Sequence, residues 1–197
     1  MSITVENITA VILAGGQGRR MSGQDKGLLE FNGEALVGIL LRELERQAVA
    51  TVINANRNLE RYRDYGVAVI SDQLENYQGP LAGMACAMDF VDSDFILTLP
   101  CDGPVIAADY VARFIASHNH SGAPICVAHD GERLQPVHAL IRVDLLTSLN
   151  QFLDSGDRKI DRWYALHDFV QTDFSDCADM FRNINTPSDQ QTLQAEL

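Results

Sequence analysis

The chain has 197 residues, 46% hydrophobic and 21% charged, enough for a sizeable core in one globular domain. Its formal net charge of −12 excludes the broad basic surface that a nucleic-acid partner requires. Met1 to Asn7 lack a basic region followed by an apolar core, and no apolar run approaches membrane-span length, so neither a signal peptide nor a membrane partner is expected. The four cysteines, Cys86, Cys101, Cys126 and Cys177, show no Cys-x-x-Cys pairing. Unreactive thiols in a reducing cytoplasm follow, and a zinc site does not.

In chain order, Thr9–Leu13 is an apolar run that predicts a buried strand opening into a glycine-rich loop. Leu36, Ile39, Leu40 and Leu44 then recur at helical spacing. Strands are predicted at Thr51–Asn54 and Val67–Ile70, a helix at Leu81–Phe90, and a strand at Asp94–Leu99. A second stripe, Val111, Phe114 and Ile115, leads to a strand at Pro124–Ala128. Val137–Ile141 and Phe169–Thr172 are expected as later, partly edge strands, separated by a stripe of Leu145, Leu146, Leu149 and Phe152. Thr186 as cap, Pro187 in the first turn and Asp189 three residues on mark the start of a last helix. Alternating strands and helices predict a three-layer α/β/α sandwich with a doubly wound, mostly parallel sheet. No repeat, linker or composition break divides it, so residues 1–197 are expected to form a single domain.

The chemistry concentrates in the first loop. Leu13, Ala14, Gly15 and Gly16 lead to Gly18, Arg19, Arg20, Gly23, Asp25 and Lys26. A strand opening into small residues offers unhindered backbone N–H groups, and the cations add local positive charge, a combination that cradles phosphates. Gly18 and Gly23 have Walker A spacing, but Gln24 and Asp25 stand where Lys and Ser/Thr belong; Met21 replaces the third glycine of a dinucleotide fingerprint. Lys26 and Arg20 are the candidates for polyphosphate charge. A second basic segment, Arg158, Lys159 and Arg162, could take a different phosphate.

Ligands in such sheets sit beyond the carboxyl ends of the strands. Gly15, Asn54, Asp72 and Asp102 fall there in succession. Each could be a plain turn former; together they suggest a cleft. Asp102 suits either a Mg²⁺ ligand, completed by substrate phosphates, or a cap of the turn at Gly103-Pro104. Asn54 can address a base edge or ribose, and Gly79 and Gly83 would let backbone approach a flat base. No Ser/His/Asp or Cys/His arrangement emerges, and His138, two residues after Pro136, is given no catalytic part.

Leu13-Ala14-Gly15-Gly16 through Arg20-Met21 and Lys26 resembles the signature loop of the molybdenum cofactor guanylyltransferases. The likeness continues through Asn54-Ala55-Asn56, Ser71-Asp72, Gly79-Pro80-Leu81-Ala82-Gly83, Leu99-Pro100-Cys101-Asp102 and Asn183-Ile184-Asn185-Thr186-Pro187. It implies a Rossmann-like nucleotidyltransferase fold and transfer of GMP from GTP to the terminal phosphate of molybdopterin, or its molybdenum form. Arg20, Lys26 and Asp102 would be catalytic, with Asp102 holding Mg²⁺. Leu13, Ala14, Gly15, Gly16, Lys26, Asn54, Asp72, Gly79 and Asp102 would bind GTP; Arg158, Lys159, Asn183 and Asn185 would face molybdopterin. Molybdoenzymes and other cofactor-biosynthesis proteins are the implied partners. A cytidylyl- or other nucleotidyltransferase on the same scaffold, and a non-catalytic GTP- and cofactor-binding carrier, are the alternatives.

Overall fold

A computed structural model describes residues 2–16, 24–72 and 79–196. β1 (Ile8–Leu13) leads to a small hairpin of β2 (Glu30–Phe31) and β3 (Glu34–Ala35), then α1 (Leu36–Arg46) and β4 (Ala50–Asn54). Next come α2 (Leu59–Arg63), β5 (Ala68–Ile70), α3 (Pro80–Phe90) and β6 (Phe95–Pro100). The second half contributes α4 (Tyr110–Ser121), β7 (Ile125–His129), β8 (Leu134–Arg142), α5 (Leu146–Asp154), α6 (Ile160–Tyr164), β9 (Phe169–Asp173) and α7 (Pro187–Glu196).

Seven strands form one sheet in the order β5-β4-β1-β6-β8-β7-β9. β5, β4, β1 and β6 pair in parallel, as do β7 and β9; β8 alone runs against its neighbours. The expected three layers follow from period-two alternation. Ala10 and Ile12 of β1, Leu97 and Leu99 of β6, and Leu140 of β8 point toward α1 and α4. Val11, Ile96, Ala139 and Ile141 point toward α3, α5 and α6. α3 has seven buried residues because the sheet covers one side of it and α5 packs against another.

Two parts of the fold differ from the sequence expectation. The Leu134–Arg142 strand is central: it is inserted antiparallel between β6 and β7, and β9 takes the edge. A strand read from its own residues carries no information about its neighbours, so only the assembled ladder places it. The β2–β3 hairpin is the second difference, and Asn32-Gly33 between Phe31 and Glu34 is its sequence signal. Both turn residues have positive φ, 52° and 85°, as a two-residue hairpin turn of this type demands. The hairpin has a purpose in packing: Phe31, Leu36, Ile184 and Leu193 form a separate apolar cluster that fastens α7 to the body.

The chain leaves β1 outward through β4 and β5, then returns to β6 on the other side. The strand order therefore reverses between β1 and β6, where Leu13 pairs with Pro100. A crevice at their carboxyl ends is the geometric result. Leu40 is fully buried beneath this sheet and lies away from the crevice. Leu40→Ala is expected to lower unfolding free energy by about 2–5 kcal/mol in urea denaturation while leaving ligand affinity unchanged.

Candidate active site

The crevice is a cleft of about 560 Å³. One wall carries Leu13, Gly15, Gly16, Asn54, Asp72, Gly79 and Pro80, and Pro100 and Asp102 form its centre. Gln135, Pro136, Val137 and His138 of β8, with Asn183, form the opposite wall. The four strand-end residues expected from sequence, Gly15, Asn54, Asp72 and Asp102, are thus brought together.

The first wall is a rigid hydrogen-bonded unit. Ala14 N donates to Asn54 O at 2.8 Å, so β1 and β4 stay paired one residue past the strand. Ala14 itself is buried, and its share in the site is to hold this turn. Asn54 Nδ2 and Asn56 Nδ2 donate to the two carboxylate oxygens of Asp72, each at 2.8 Å, and Asp72 N donates back to Asn56 Oδ1 at 2.9 Å. Asp72 is therefore a fixed acceptor and no loose turn residue. Asn56 stood in the quoted sequence motif without a role, and this clamp supplies one.

Small residues make room for that clamp. A Cβ on Gly15 would lie 2.8 Å from Asn56 Nδ2 and 3.2 Å from Asn54 Oδ1. On Gly83 it would lie 2.4 Å from Asn54 Oδ1 and 2.9 Å from Leu13 Cδ2. The absent side chain of Gly83 therefore accommodates Asn54, and only Gly79 of the expected pair lines the cleft. Gly79 needs to be glycine for another reason: its φ of +83° and ψ of −176° precede the first turn of α3.

The centre is an ionic cluster built from three distant stretches. Lys26 Nζ donates to Asp102 Oδ2 at 2.8 Å and to Asn185 Oδ1 at 2.6 Å. Side-chain exposures of 22% and 15% for Lys26 and Asp102 put the pair mostly out of water, where it is screened weakly. Ile184 N donates to Asp102 O at 2.8 Å, which docks the Asn183–Asn185 segment against the end of β6. Thr186 and Asp189 exchange backbone-to-side-chain hydrogen bonds as the expected capping box, and Asp189 also accepts from Asn185 N at 2.9 Å. Asp102 Oδ1 is buried and, among the described residues, has no hydrogen-bond partner. Such an atom, at the centre of the cleft, fits a cation. Among the described residues no group of three or more His, Cys, Asp and Glu could hold a metal by itself.

Lys26 is aimed by its neighbour. Asp25 is buried and accepts from Tyr62 Oη at 2.5 Å and Asn58 Nδ2 at 3.0 Å, with Arg57 Nε 3.6 Å away. Burial first, then the Asp25 hydrogen bond, push the Tyr62 hydroxyl well above its ordinary range, so it remains a donor. A Cβ on Gly27 would meet Tyr62 Oη at 2.5 Å. The sequence places Asp25 in the loop without a role of its own; Tyr62, in α2, leaves no local signal.

The remaining expectations divide. Arg19, Arg20 and the rest of 17–23 lie outside the described residues. Arg158 and Lys159 do not line the cleft. Arg158 Nη1 donates to Leu153 O and Asp157 O, both at 2.6 Å, while Lys159 is exposed. Their turn sits beside α6, whose Tyr164 Oη donates to Pro136 O on the cleft wall at 2.8 Å. His138 is buried and points toward Tyr110; burial lowers its pKa to about 3, so the ring is neutral near pH 7. Burial pushes the Cys86 and Cys126 thiols up to about 11 and Cys101 higher, which removes them as nucleophiles at neutral pH. No helix among the described residues is long and apolar enough to cross a membrane.

A cleft at the switch point of a doubly wound sheet, walled by fixed amides on one side and centred on a lysine–aspartate pair, is the architecture of a nucleotidyltransferase. Residues 10–171 match the family model described as the MobA-like NTP transferase domain. A molybdenum cofactor guanylyltransferase from Shewanella baltica is 47% identical over 190 residues, covering 96% of this chain and 97% of that protein. A crystal structure of molybdopterin-guanine dinucleotide biosynthesis protein A from Archaeoglobus fulgidus superposes with a TM-score of 0.80 at 21% identity, over 96% of this chain and 97% of that one. The fold extends further: 4-diphosphocytidyl-2C-methyl-D-erythritol synthase from Anaerococcus prevotii gives a TM-score of 0.75 at 12% identity, over 98% and 96%. The chain belongs to the molybdenum cofactor guanylyltransferase family.

Two described glycines, Gly16 and Gly27, provide a test. Among the described residues nothing approaches the place of a Cβ on Gly16, whereas Gly27 abuts Tyr62. Gly27→Ala is expected to displace Tyr62 from buried Asp25 and destabilise the fold by about 1–3 kcal/mol. Gly16→Ala should stay within about 0.5 kcal/mol of the parent, both read by chemical denaturation.

Proposed function

We propose that this chain, acting as a single nucleotidyltransferase domain, transfers GMP from GTP to the terminal phosphate of molybdopterin or its molybdenum form, releasing pyrophosphate. The observation that carries the reading is the Lys26–Asp102 pair with its uncommitted carboxylate oxygen, at the centre of a cleft with two chemically different walls. Near-full-length identity of 47% to a named guanylyltransferase supports the choice of nucleotide and acceptor.

An oxygen of the acceptor phosphate attacks the α-phosphorus of GTP, and the bond to the bridging oxygen of pyrophosphate breaks, that oxygen keeping the electron pair. The attacking phosphate is already ionised near neutral pH, so no general base is needed. What the protein must do is hold two anions in line and offset their repulsion. Leu13, Gly15 and Gly16 cradle the polyphosphate, while Asn54 and clamped Asp72 engage the nucleoside beside Gly79. Asp102 would hold Mg²⁺ through Oδ1, with phosphate oxygens and water as further ligands, and the ion would supply charge neutralisation and alignment of the triphosphate. Lys26, held by Asn185 and aimed by Asp25, stabilises charge on the leaving pyrophosphate, and Arg20 shares that task. Asn183 borders the acceptor, with Arg158 and Lys159 toward its outer end. The four unpaired cysteines support a reducing, cytoplasmic setting, and molybdoenzymes or other cofactor-biosynthesis proteins would take the product.

Purified protein with molybdopterin, Mg²⁺ and each of GTP, CTP, ATP and UTP is expected to release pyrophosphate and form a pterin guanine dinucleotide with GTP. Turnover with CTP instead would overturn the base assignment, and binding without turnover would favour a carrier. Asp102→Asn is expected to keep the fold and lower kcat by about 100-fold or more, and Lys26→Ala to lower kcat at saturating GTP by a similar factor. Unchanged turnover in either variant would remove that residue from its role.

A further inference from the structure

The wall formed by β8 carries polar groups that the transfer chemistry does not use. His138 lines the cleft, yet the residue is only 6% exposed. Its Nδ1 lies 3.0 Å from Tyr110 Oη, and Tyr110 Oη also donates to Thr98 O at 3.1 Å. Tyr110 has one hydroxyl proton. With that proton on Thr98 O, the Tyr110–His138 contact is a hydrogen bond only if His138 Nδ1 carries the ring proton. Nε2 is then a bare lone pair, and it is the polar atom the ring has left to offer the cleft.

The ring is held in this orientation from two sides. Phe181 meets it edge-on with centroids 4.9 Å apart, and Tyr110 does so at 5.9 Å. Tyr110 is itself fully buried, wedged against Phe114 and Phe174. A pinned ring loses little freedom when it binds, so its hydrogen bond goes into selectivity. Gln135 lies on the same wall. Its Nε2 donates one of its two hydrogens to Asp130 Oδ2 at 2.6 Å, which fixes the plane of the amide at the edge of the cleft. The wall facing the nucleoside is built around donors clamped onto a carboxylate; the β8 wall adds the acceptor of His138.

We propose that His138, through Nε2, accepts a hydrogen bond from a ring N–H of the acceptor molecule and is a specificity-determining residue of the acceptor side. The proposal rests on the reading above, in which the acceptor is a pterin phosphate, a heterocycle whose edge carries amino and ring N–H donors. Tyr110 acts through His138 as a positioning residue, because its hydroxyl sets which ring nitrogen bears the proton. The consequence is discrimination by polarity: a phosphate ester lacking an N–H edge leaves a buried lone pair unmatched and is rejected.

The test is steady-state kinetics of dinucleotide formation from molybdopterin and GTP with Mg²⁺, measured for the parent chain, His138→Phe and His138→Gln. His138→Phe keeps a planar ring without an acceptor, and is expected to raise the acceptor KM about tenfold while KM for GTP and kcat stay within about twofold. His138→Gln can place an amide oxygen where Nε2 stood, and is expected to hold the acceptor KM within about threefold of the parent. Thermal unfolding of each variant is followed alongside; if His138→Phe does not fold, His138→Asn, whose amide reaches only the Nδ1 position, takes its place with the same expected loss. An unchanged acceptor KM in the folded Phe or Asn variant overturns the proposal, as does an equal rise in both KM values, which marks a structural role. Absence of dinucleotide formation by the parent chain itself refutes the guanylyltransfer reading and this inference with it, and is distinguished from the other failures by the parent control.

Discussion

Three stretches of chain far apart in sequence meet through one charged side chain. Lys26 Nζ is shared between Asp102 Oδ2 and Asn185 Oδ1, and everything around it serves to keep it there. Removing two charges from water is costly, and that cost is offset only when geometry is good and hydrogen bonds complete the coordination. Asn185 completes it on one side. On the other, one oxygen of Asp102 is buried and has no hydrogen-bond partner among the described residues, so the pair is not fully satisfied as a structural ion pair would be.

The cluster also explains why apparently peripheral features are built as they are. Asp25, withdrawn from solvent by Tyr62 and Asn58, fixes the backbone immediately before Lys26. The Asn32-Gly33 hairpin looks incidental, yet Phe31 joins Leu36, Ile184 and Leu193 in the apolar cluster that holds the last helix. That helix begins with the Thr186–Asp189 capping box, whose Asp189 also receives Asn185 N. Packing on the outer surface is thereby transmitted, through a helix cap, to the amide that touches Lys26.

Division of labour between the walls follows from sheet topology. β1, β4 and β5 run parallel and end together, so Gly15, Asn54 and Asp72 form one continuous surface with the glycines that clear space for it. β8 runs the other way, so this wall is made from the start of a strand: Gln135 to His138 enter the cleft before the chain descends into the core. An antiparallel strand inserted at this point gives the second wall a chemistry independent of the first. A bisubstrate cleft needs that independence.

Much of this was legible in the amino-acid order. Apolar periods located the main strands and helices, because burial of one face dictates them locally. The glycine-rich loop with Lys26, and the polar residues after successive strands, marked the cleft, because backbone approach and charge need particular residue types at those points. The capping box at Thr186 was legible for the same local reason. Partnerships were not legible. That Gly83 serves Asn54, that Tyr62 secures Asp25, that Lys26 pairs with Asp102 and Asn185, and that His138 turns one nitrogen to Tyr110 are all contacts between separate elements. Sequence determined which residues could carry phosphate chemistry and which faces must be buried, since both depend on side-chain type and local spacing. Only the tertiary structure decided that β8 lies at the centre of the sheet and which polar atoms remain uncommitted, because strand order and hydrogen-bond pairing are settled when distant segments compete for the same partners.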